Sequence, residues 1–439
     1  MTAAPPGARG RYASSTAFLL AVNVASAVLG AGQSVVITRA LTPAELAVPA
    51  VLFAVTATAA NFVDFRLGDV AAKLFGATDP EEPTAARPTR RSVIQFALLG
   101  DALLALALFV VAVPLAYVSA ALLLDRDVTL VWIAGQAAAG GLGFLVSSAV
   151  YVFRLTEDFT RLGWIRLANQ GVGVAALVAA LAIAPSLDGY FVGVVAVNLL
   201  QLVVTFAMAE PSWRRAVGGP LLGRGAMSAR AAFRGEVRTA LAGGAFGASK
   251  LLHRAADVLV VSALGSDRET GLYRLARTAT DALYLGYDAI NQVQMPRLLA
   301  MFRAGDEARL SRDFRRFVAG AGALTAMIVA GGVFVLPSVV DVLFPAYDGM
   351  APIATVLAVA FFFVTGVHVW VWPWLLTRGG LGRFAVRAFV ASVAQPAVAV
   401  ATAAGGLRAG LAGAAGYVAY YVILYPWTVG DLRRRWRSR

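Results

Sequence analysis

Long, continuously apolar runs separated by short polar stretches dominate this sequence. Runs of about 20 apolar residues are long enough to cross a bilayer as helices. The pattern therefore predicts twelve transmembrane helices, near residues 16–38, 45–65, 92–118, 129–153, 160–184, 187–208, 237–264, 270–297, 317–340, 349–376, 384–404 and 408–429. The predicted fold class is therefore an all-α polytopic membrane protein. No connection between the predicted spans is long enough to form a soluble catalytic domain.

The predicted spans fall into two groups of six, separated by a basic stretch. They divide the chain into an N-terminal tail, a first six-helix lobe, a linker, a second six-helix lobe and a C-terminal tail, at residues 1–15, 16–208, 209–236, 237–429 and 430–439. An even number of spans per lobe starts both lobes on the same membrane side. Any repeat between the lobes is therefore parallel.

The first span has an alternative interpretation as a signal peptide. Arg9 and Arg11 precede an apolar run, and Ala25, Ser26 and Ala27 form the small-residue pattern of a cleavage site. The run nevertheless continues to residue 37, which is too long for the apolar core of a signal peptide. We therefore favour a membrane span.

The composition excludes an ordinary soluble enzyme, because 59% of the residues are hydrophobic and only 14% are charged. The absence of cysteine excludes disulfides, iron–sulfur clusters and thiolate zinc sites. With only His253 and His368, a histidine-rich metal centre is also disfavoured. We predict no cofactor and no enzymatic activity.

The distribution of cations predicts the orientation of the spans. With both termini in the cytoplasm, thirty of the 38 Lys and Arg residues fall on tails and inner loops. Only four fall on outer connections, at Arg39, Arg126, Arg268 and Arg408. This bias predicts a multi-pass cell-membrane protein with cytoplasmic termini. Attraction to anionic headgroups at the inner face accounts for the net charge of +13 without nucleic acid as a partner.

Four remaining cations lie inside predicted spans seven and eight, at Lys250, Arg254, Arg274 and Arg277. On span seven, Lys250 and Arg254 share a helix face with Asp257. The stripe on span eight comprises Arg274, Arg277, Asp281, Tyr284, Asp288 and Gln292. One charge at the bilayer centre costs about 2.5–3.5 kcal/mol, so these seven charges are expected to face a bundle interior or water.

Two interpretations of these charges stay open. Mutual pairs, for example Arg254 with Asp281, could join the two spans. Alternatively, the cations could line a hydrated cavity for an anionic group, because Arg binds phosphate through two hydrogen bonds and Lys adds a compact charge. Three aspartates, Asp257, Asp281 and Asp288, would leave a residual charge of +1. Their protonation would make the cavity more positive, which suggests ion coupling.

The first lobe carries one mid-span charge, Asp101, for which we hypothesise proton or cation coupling. Asn23 and Asn61 are candidate polar residues of the cavity, with interhelical hydrogen bonds as the alternative. Close helix packing is the prediction for three glycines, at Gly140, Gly141 and Gly143.

Several segments resemble the motifs of a known family, in order along nearly the whole chain. Residues 38–45 are similar to an Ala-Arg-x-Leu-Gly-Pro turn, and residues 64–68 to an Asp-x-Gly stretch. Residues 271–277 resemble Gly-x-Tyr-x-x-Ala, residues 295–306 a Pro-x-Leu loop ending in Gly-Asp, and residues 343–347 a Leu-Phe-Gly-x-x-Tyr segment. Thr42, Ala47 and Pro345 stand where that pattern has glycines.

The family with these motifs is that of lipid-linked oligosaccharide flippases for O-antigen and exopolysaccharide biosynthesis. It belongs to the multidrug/oligosaccharidyl-lipid/polysaccharide (MOP) exporter superfamily. The resemblance implies two six-helix lobes that rock around a central cavity, and a polyprenyl-diphosphate-linked glycan as substrate.

On this interpretation, the four span cations hold the diphosphate, and polysaccharide assembly proteins are further candidate partners. The absence of a nucleotide motif indicates that an ion gradient drives transport. The alternatives are a drug or metabolite exporter of the same superfamily and a membrane-embedded glycan polymerase or glycosyltransferase.

Overall fold

The computed structural model describes residues 8–63, 89–155, 158–217, 226–237, 256–281, 307–361 and 381–437, with single positions at 65, 67, 68, 70, 71, 74 and 241. These described residues contain helices and turns but no strand. The helices are α1 (Ala8–Ala40), α2 (Pro43–Val63), α3 (Arg90–Leu123), α4 (Leu130–Leu155), α5 (Phe159–Ile183), α6 (Leu187–Val217), α7 (Arg230–Gly235), α8 (Ala256–Leu264), α9 (267–281), α10 (Glu307–Leu343), α11 (Met350–Phe361), α12 (Leu381–Ala404) and α13 (Ala409–Arg437). Short 3₁₀ turns cover Ala226–Ala229 and Pro345–Tyr347.

Within the described residues, seven helical segments are long and apolar enough to cross a membrane. They are Ala21–Ala40, Pro43–Val63, Arg90–Leu123, Leu130–Val150, Thr160–Ile183, Leu187–Arg215 and Arg383–Ala404. The first six overlap the first six predicted spans, with ends that differ by at most seven residues. A bent pair, Thr325–Val335 and Pro337–Leu343, is an eighth candidate, and its 54° bend falls where proline interrupts the helix. The prediction of an all-helical multi-pass membrane protein is confirmed.

Some helices run well past the predicted spans. α10 begins at Glu307, although the apolar run that predicted it starts at 317. α13 continues to Arg437, through most of the tail predicted at 430–439. Charged residues extend a helix as readily as apolar ones, whereas the apolar run measures only the part suited to lipid. The helices are therefore longer than the predicted apolar spans at these two places.

The described chain forms two compact units. Unit 1 comprises Met1–Ala50 and Leu252–Arg439, and unit 2 comprises Val51–Leu251. The division falls inside α2, so the first turns of this helix belong to unit 1 and its later turns to unit 2. The division into lobes at 16–208 and 237–429 stays a prediction.

In unit 2, α4 packs against α3 and α6, and α5 packs against α6. Small residues allow this packing. A Cβ atom at Gly140 would lie 2.5 Å from the Thr56 side chain, and one at Gly141 would lie 3.1 Å from the Ala105 carbonyl oxygen. The prediction of close packing is confirmed at these two glycines. It is wrong at Gly143, where a Cβ atom would meet nothing within 4 Å.

Part of the basic linker also packs on unit 2. The 3₁₀ turn Ala226–Ala229 contacts α3, and Phe233 of α7 lies in a buried apolar cluster with Val93 and Ala97. The rings of Phe96 and Phe233 are 4.5 Å apart between their centroids. The linker thus contributes to the core beside the first turns of α3.

In unit 1, α12 and α13 form an antiparallel pair, and α8 packs against both. Gly413 and Gly416 make this approach possible. A Cβ atom at Gly413 would lie 2.3 Å from the Val261 side chain, and one at Gly416 would lie 2.4 Å from the Gln395 carbonyl oxygen. These close backbone contacts place the tyrosine-rich face of α13 beside α8 and α9.

Candidate functional site

A short turn brings the charges of α8 and α9 together. α8 ends at Leu264, and Ser266 caps the start of α9, where its Oγ accepts a hydrogen bond from the Glu269 N–H at 3.4 Å. Because the two helices run antiparallel after this turn, Asp257 on α8 lies beside Tyr273 and Arg277 on α9. The local sequence therefore positions three polar side chains within one apolar helix pair.

Asp257 is the buried centre of this cluster. Its Oδ2 accepts hydrogen bonds from the Tyr273 hydroxyl at 2.8 Å and from Arg277 Nε at 3.2 Å. Its Oδ1 accepts a third, from the Val258 N–H at 2.9 Å. Only 2% of the Asp257 side chain is exposed. Three donors, one of them cationic, offset the cost of burying this carboxylate.

Arg277 joins two carboxylates through different parts of its guanidinium group. Nε faces Asp257, while Nη1 donates to Asp281 one helical turn further along α9. The two carboxylates differ in access, because 46% of the Asp281 side chain is exposed. A partly exposed partner is easier to exchange for another anion than a buried one, since its free state is better solvated.

A tyrosine on α13 packs against the same guanidinium group. The Cζ atom of Arg277 lies 4.2 Å from the centroid of the Tyr417 ring, within the range of a cation–π contact. The Tyr417 hydroxyl is 3.3 Å from the Tyr421 hydroxyl. Tyr420 packs edge-on against Tyr421, and all three rings are buried. We call Asp257, Tyr273, Arg277, Asp281 and Tyr417 the charge cluster.

The charge cluster bears on both interpretations of the span charges. One guanidinium group contacts two carboxylates, so Arg277 forms pairs of the kind that the pairing interpretation requires. These pairs join α8 to α9 through Asp257, although the expected pair of Arg254 with Asp281 lies outside the described residues. Arg274 is half-buried one turn before Arg277.

The role of the span cations in diphosphate binding stays a prediction. Several residues of the predicted set lie outside the described part of the chain, namely Lys250, Arg254, Tyr284, Asp288 and Gln292.

Asp101 lies in a second polar contact, within unit 2. This buried residue of α3 accepts a hydrogen bond from Ser148 Oγ of α4, and the same oxygen lies 2.9 Å from the Phe144 carbonyl oxygen. Asn61 Nδ2 donates to the Ala57 carbonyl oxygen of its own helix at 2.9 Å. Asn23 is buried in α1. Asp101 and Asn61 therefore belong to separate local contacts.

The sequence interpretation overlooked the tyrosines of the charge cluster. Tyr273 was part of a family-like motif without an assigned role, and Tyr417, Tyr420 and Tyr421 were not considered. Their signal is the spacing of three tyrosines at i, i+3 and i+4 on an apolar helix, which places them on one face. Among the described residues, no group of three or more His, Cys, Asp and Glu could hold a metal ion.

Solved structures identify the fold. A multidrug resistance MATE family transporter of the MOP superfamily, in an inward-facing conformation, aligns with a TM-score of 0.70 at 15% identity, over 95% of this chain and 98% of that one. A MOP superfamily transporter from Pyrococcus furiosus aligns with a TM-score of 0.69 at 12% identity, over 96% and 95%. The lipid II flippase MurJ aligns with a TM-score of 0.67 at 11% identity, over 94% and 87%.

These alignments define the class of the protein, a helical membrane protein with the fold of MOP-superfamily transporters. A family model described as polysaccharide biosynthesis protein matches residues 13–302, which is more than half of the sequence. The chain belongs to that family, which confirms the family resemblance. No curated protein matches it at significant similarity.

Proposed function

We propose that this protein is a flippase that moves a polyprenyl-diphosphate-linked oligosaccharide from the inner to the outer leaflet of the cell membrane for surface polysaccharide biosynthesis. The observation that carries the proposal is that a polysaccharide biosynthesis family model matches a chain with the fold of membrane transporters. The similarity to a lipid II flippase supports a lipid-linked glycan as the substrate class. The named structural neighbours are transporters and a flippase, which favours transport over a polymerase or glycosyltransferase reaction.

The proposed orientation places both termini and the basic loops in the cytoplasm. Anionic headgroups contact the inner loops, and polysaccharide assembly proteins receive the flipped glycan. The glycan crosses within the helix bundle while the polyprenyl chain stays in lipid, because only the sugar and diphosphate are costly to bury in hydrocarbon.

In this proposal, Arg277 exchanges partners during transport. Nε stays with buried Asp257, and Nη1 releases half-exposed Asp281 to bind a diphosphate oxygen. Arg274, one turn away, and the predicted cations Lys250 and Arg254 add positive charge. Protonation of Asp281, or of Asp101 in unit 2, couples this exchange to an ion gradient.

A second candidate is an exporter of cationic drugs or metabolites on the same fold. In the charge cluster, two carboxylates face one guanidinium group, so these three side chains carry a net charge of −1 when all are ionised. A negative cluster favours a cationic cargo. The flippase remains the preferred function because the family match concerns polysaccharide biosynthesis.

The decisive experiment is deletion of the gene, followed by analysis of lipid-linked glycans in each leaflet. We expect a lipid-linked oligosaccharide to accumulate in the inner leaflet and surface polysaccharide to be lost. If no such lipid accumulates and the cells become more sensitive to cationic drugs, the second candidate function is favoured over the flippase.

Complementation with variants then tests the role of Arg277. At matched protein levels, we expect Arg277→Lys to lower export about tenfold or more, because lysine cannot span two acceptors in one plane. The matched control is Arg214→Lys, at an exposed cation that pairs with Glu210 outside the charge cluster. Unimpaired export by both Arg277→Lys and Arg277→Gln would rule out diphosphate binding by this residue.

A further inference from the structure

Tyr347 forms a hydrogen bond between parts of unit 1 that are far apart in sequence. Its hydroxyl donates to the Leu41 carbonyl oxygen at 2.9 Å, and both residues are buried. Leu41 follows the last residue of α1, where carbonyl groups have no partner further along the helix. Because the acceptor is a backbone carbonyl group at the end of α1, this hydrogen bond does not depend on the side chain at position 41.

Gly271 forms the second contact with the same turn. A Cβ atom at this position would lie 1.9 Å from the Pro43 carbonyl oxygen and 2.8 Å from its carbonyl carbon. The backbone of α9 thus lies directly on the first turn of α2. Because the obstructing atoms are backbone, no side-chain rotation can make room, and any residue larger than glycine would displace the α1–α2 turn.

Polar contacts stabilise both the α1–α2 turn and the residues that pack on it. Thr42 caps α2, with its N–H donating to Glu45 Oε2 at 2.8 Å and its Oγ1 accepting from the Glu45 N–H at 3.3 Å. Threonine at this position, where the family pattern has glycine, supplies the side-chain oxygen of the cap. On the other side, Arg268 of α9 pairs with Asp348, next to Tyr347.

The Tyr347 hydroxyl keeps its proton at physiological pH. Burial raises the pKa of Tyr347, and the negative charge of nearby Glu45 raises it further. The hydrogen bond to Leu41 is therefore present throughout that pH range.

The position of these contacts points to a role in conformational change. They fix the beginning of α2 to unit 1, whereas the later turns of the same helix belong to unit 2. The chain therefore passes from one unit to the other within this helix. Release of the Tyr347–Leu41 hydrogen bond and of the Gly271–Pro43 approach would free its first turn and expose the buried apolar residues packed there, such as Leu41 and Leu272.

We propose that Leu41, Pro43, Gly271 and Tyr347 form an outer latch, which is closed in this structure and opens once in each transport cycle. The inference rests on the proposed function, in that it requires alternating access, and on the proposed orientation, which places Arg39 and Arg268 outside. Closure of the latch holds the outer ends of α1 and α2 against α9. Its opening admits water to residues beneath it, including buried Leu272.

The absence of native cysteine allows a direct test, because a single introduced thiol reports on one position. Leu272→Cys places a thiol under the latch, and Asp127→Cys places one at an exposed position of the α3–α4 connection. Intact cells are treated with a membrane-impermeant maleimide, and the labelling rate is measured in the background of Tyr347→Phe or Gly271→Ala. Matched controls are Tyr117→Phe, at an exposed tyrosine, and Gly32→Ala, where a Cβ atom meets nothing within 4 Å.

We expect Tyr347→Phe to increase labelling at position 272 about fivefold, the change in an equilibrium constant that loss of one buried hydrogen bond produces. Gly271→Ala should increase it further. The control variants, and labelling at position 127, should not change.

Unchanged labelling at position 272 in both latch variants would overturn the proposal. Labelling at position 127 only after permeabilisation would also overturn it, because the latch would then not face outward. Increased labelling in the latch variants, together with failure of the protein without a latch substitution to restore glycan export, would support the latch while contradicting the proposed flippase, so the two failures are distinguishable.

Discussion

The guanidinium carbon of Arg277 lies 4.2 Å from the centre of the Tyr417 ring. Both side chains are buried, and the Tyr417 hydroxyl lies 3.3 Å from the Tyr421 hydroxyl. The guanidinium group therefore lies over the face of the ring, within the range of a cation–π contact. A desolvated cation–π contact of this kind contributes about 2 kcal/mol.

Substitutions at Tyr417 should therefore separate the ring from the hydroxyl. Tyr417→Phe keeps the ring face and is expected to cost about 1 kcal/mol of unfolding free energy, whereas Tyr417→Leu should cost on the order of 3 kcal/mol. Unfolding of the purified protein in detergent measures both. Equal losses in the two variants would show that the hydroxyl, and not the ring, carries the interaction.

The two carboxylates that contact Arg277 should differ in their contribution to stability. Asp257 is buried, so Asp257→Asn removes a buried ion-pair partner and is expected to cost about 3–5 kcal/mol. Asp281 is half-exposed, so Asp281→Asn should cost about 1 kcal/mol or less. The same unfolding measurement, at matched detergent and pH, compares them. A cost at Asp281 equal to that at Asp257 would contradict the assignment of Asp281 as the exchangeable partner.

How far the sequence predicted this structure depends on the kind of interaction. Apolar runs located the first six spans, with ends that differ by at most seven residues, because contact with lipid determines where such runs begin and end. Of the charges of spans seven and eight, Asp257 and Arg277 are buried as expected, because exposure of a charge to lipid is costly. Helix spacing could also place Arg277 and Asp281 on one face of α9.

The side chains that contact these charged residues could not be predicted from the sequence. The contact of Arg277 with Tyr417 depends on the packing of α13, which Gly413 permits through a close approach to α8 and α9. Such contacts join residues that are far apart in the chain, and no local pattern determines which residues meet. The same reason explains why the hydrogen bond from Tyr347 to Leu41 emerged only from the structure.

The contact of Asp101 with Ser148 predicts a specific effect of charge removal. The Ser148 hydroxyl has one proton but two acceptors in reach, the Asp101 carboxylate and the Phe144 carbonyl oxygen. Both hydrogen bonds form together only when Asp101 is protonated and donates to Ser148 Oγ. An asparagine at this position supplies the same donor without a titratable group.

We therefore expect Asp101→Asn to keep its unfolding free energy within about 1 kcal/mol of the unmodified protein while glycan export loses its dependence on a proton gradient. Export is measured in cells with and without a protonophore. Ser148→Ala is the control for loss of the hydrogen bond alone, because it leaves the carboxyl group in place. Export by Asp101→Asn that still collapses with the proton gradient would exclude Asp101 as the coupling group.

The glycines of α4 provide a paired test of the packing in unit 2. Gly140→Ala introduces a Cβ atom 2.5 Å from the side chain of Thr56, whose β-branched χ1 rotamer leaves little freedom to move away. We expect overpacking to cost about 1–3 kcal/mol. At Gly143 a Cβ atom meets nothing within 4 Å, so Gly143→Ala should stabilise the helix by up to about 1 kcal/mol through its higher helix propensity. Opposite shifts in the unfolding temperature of two variants three residues apart would show that α4 is fixed on its Thr56 side and open on the other, whereas shifts of the same sign would contradict that orientation of the helix.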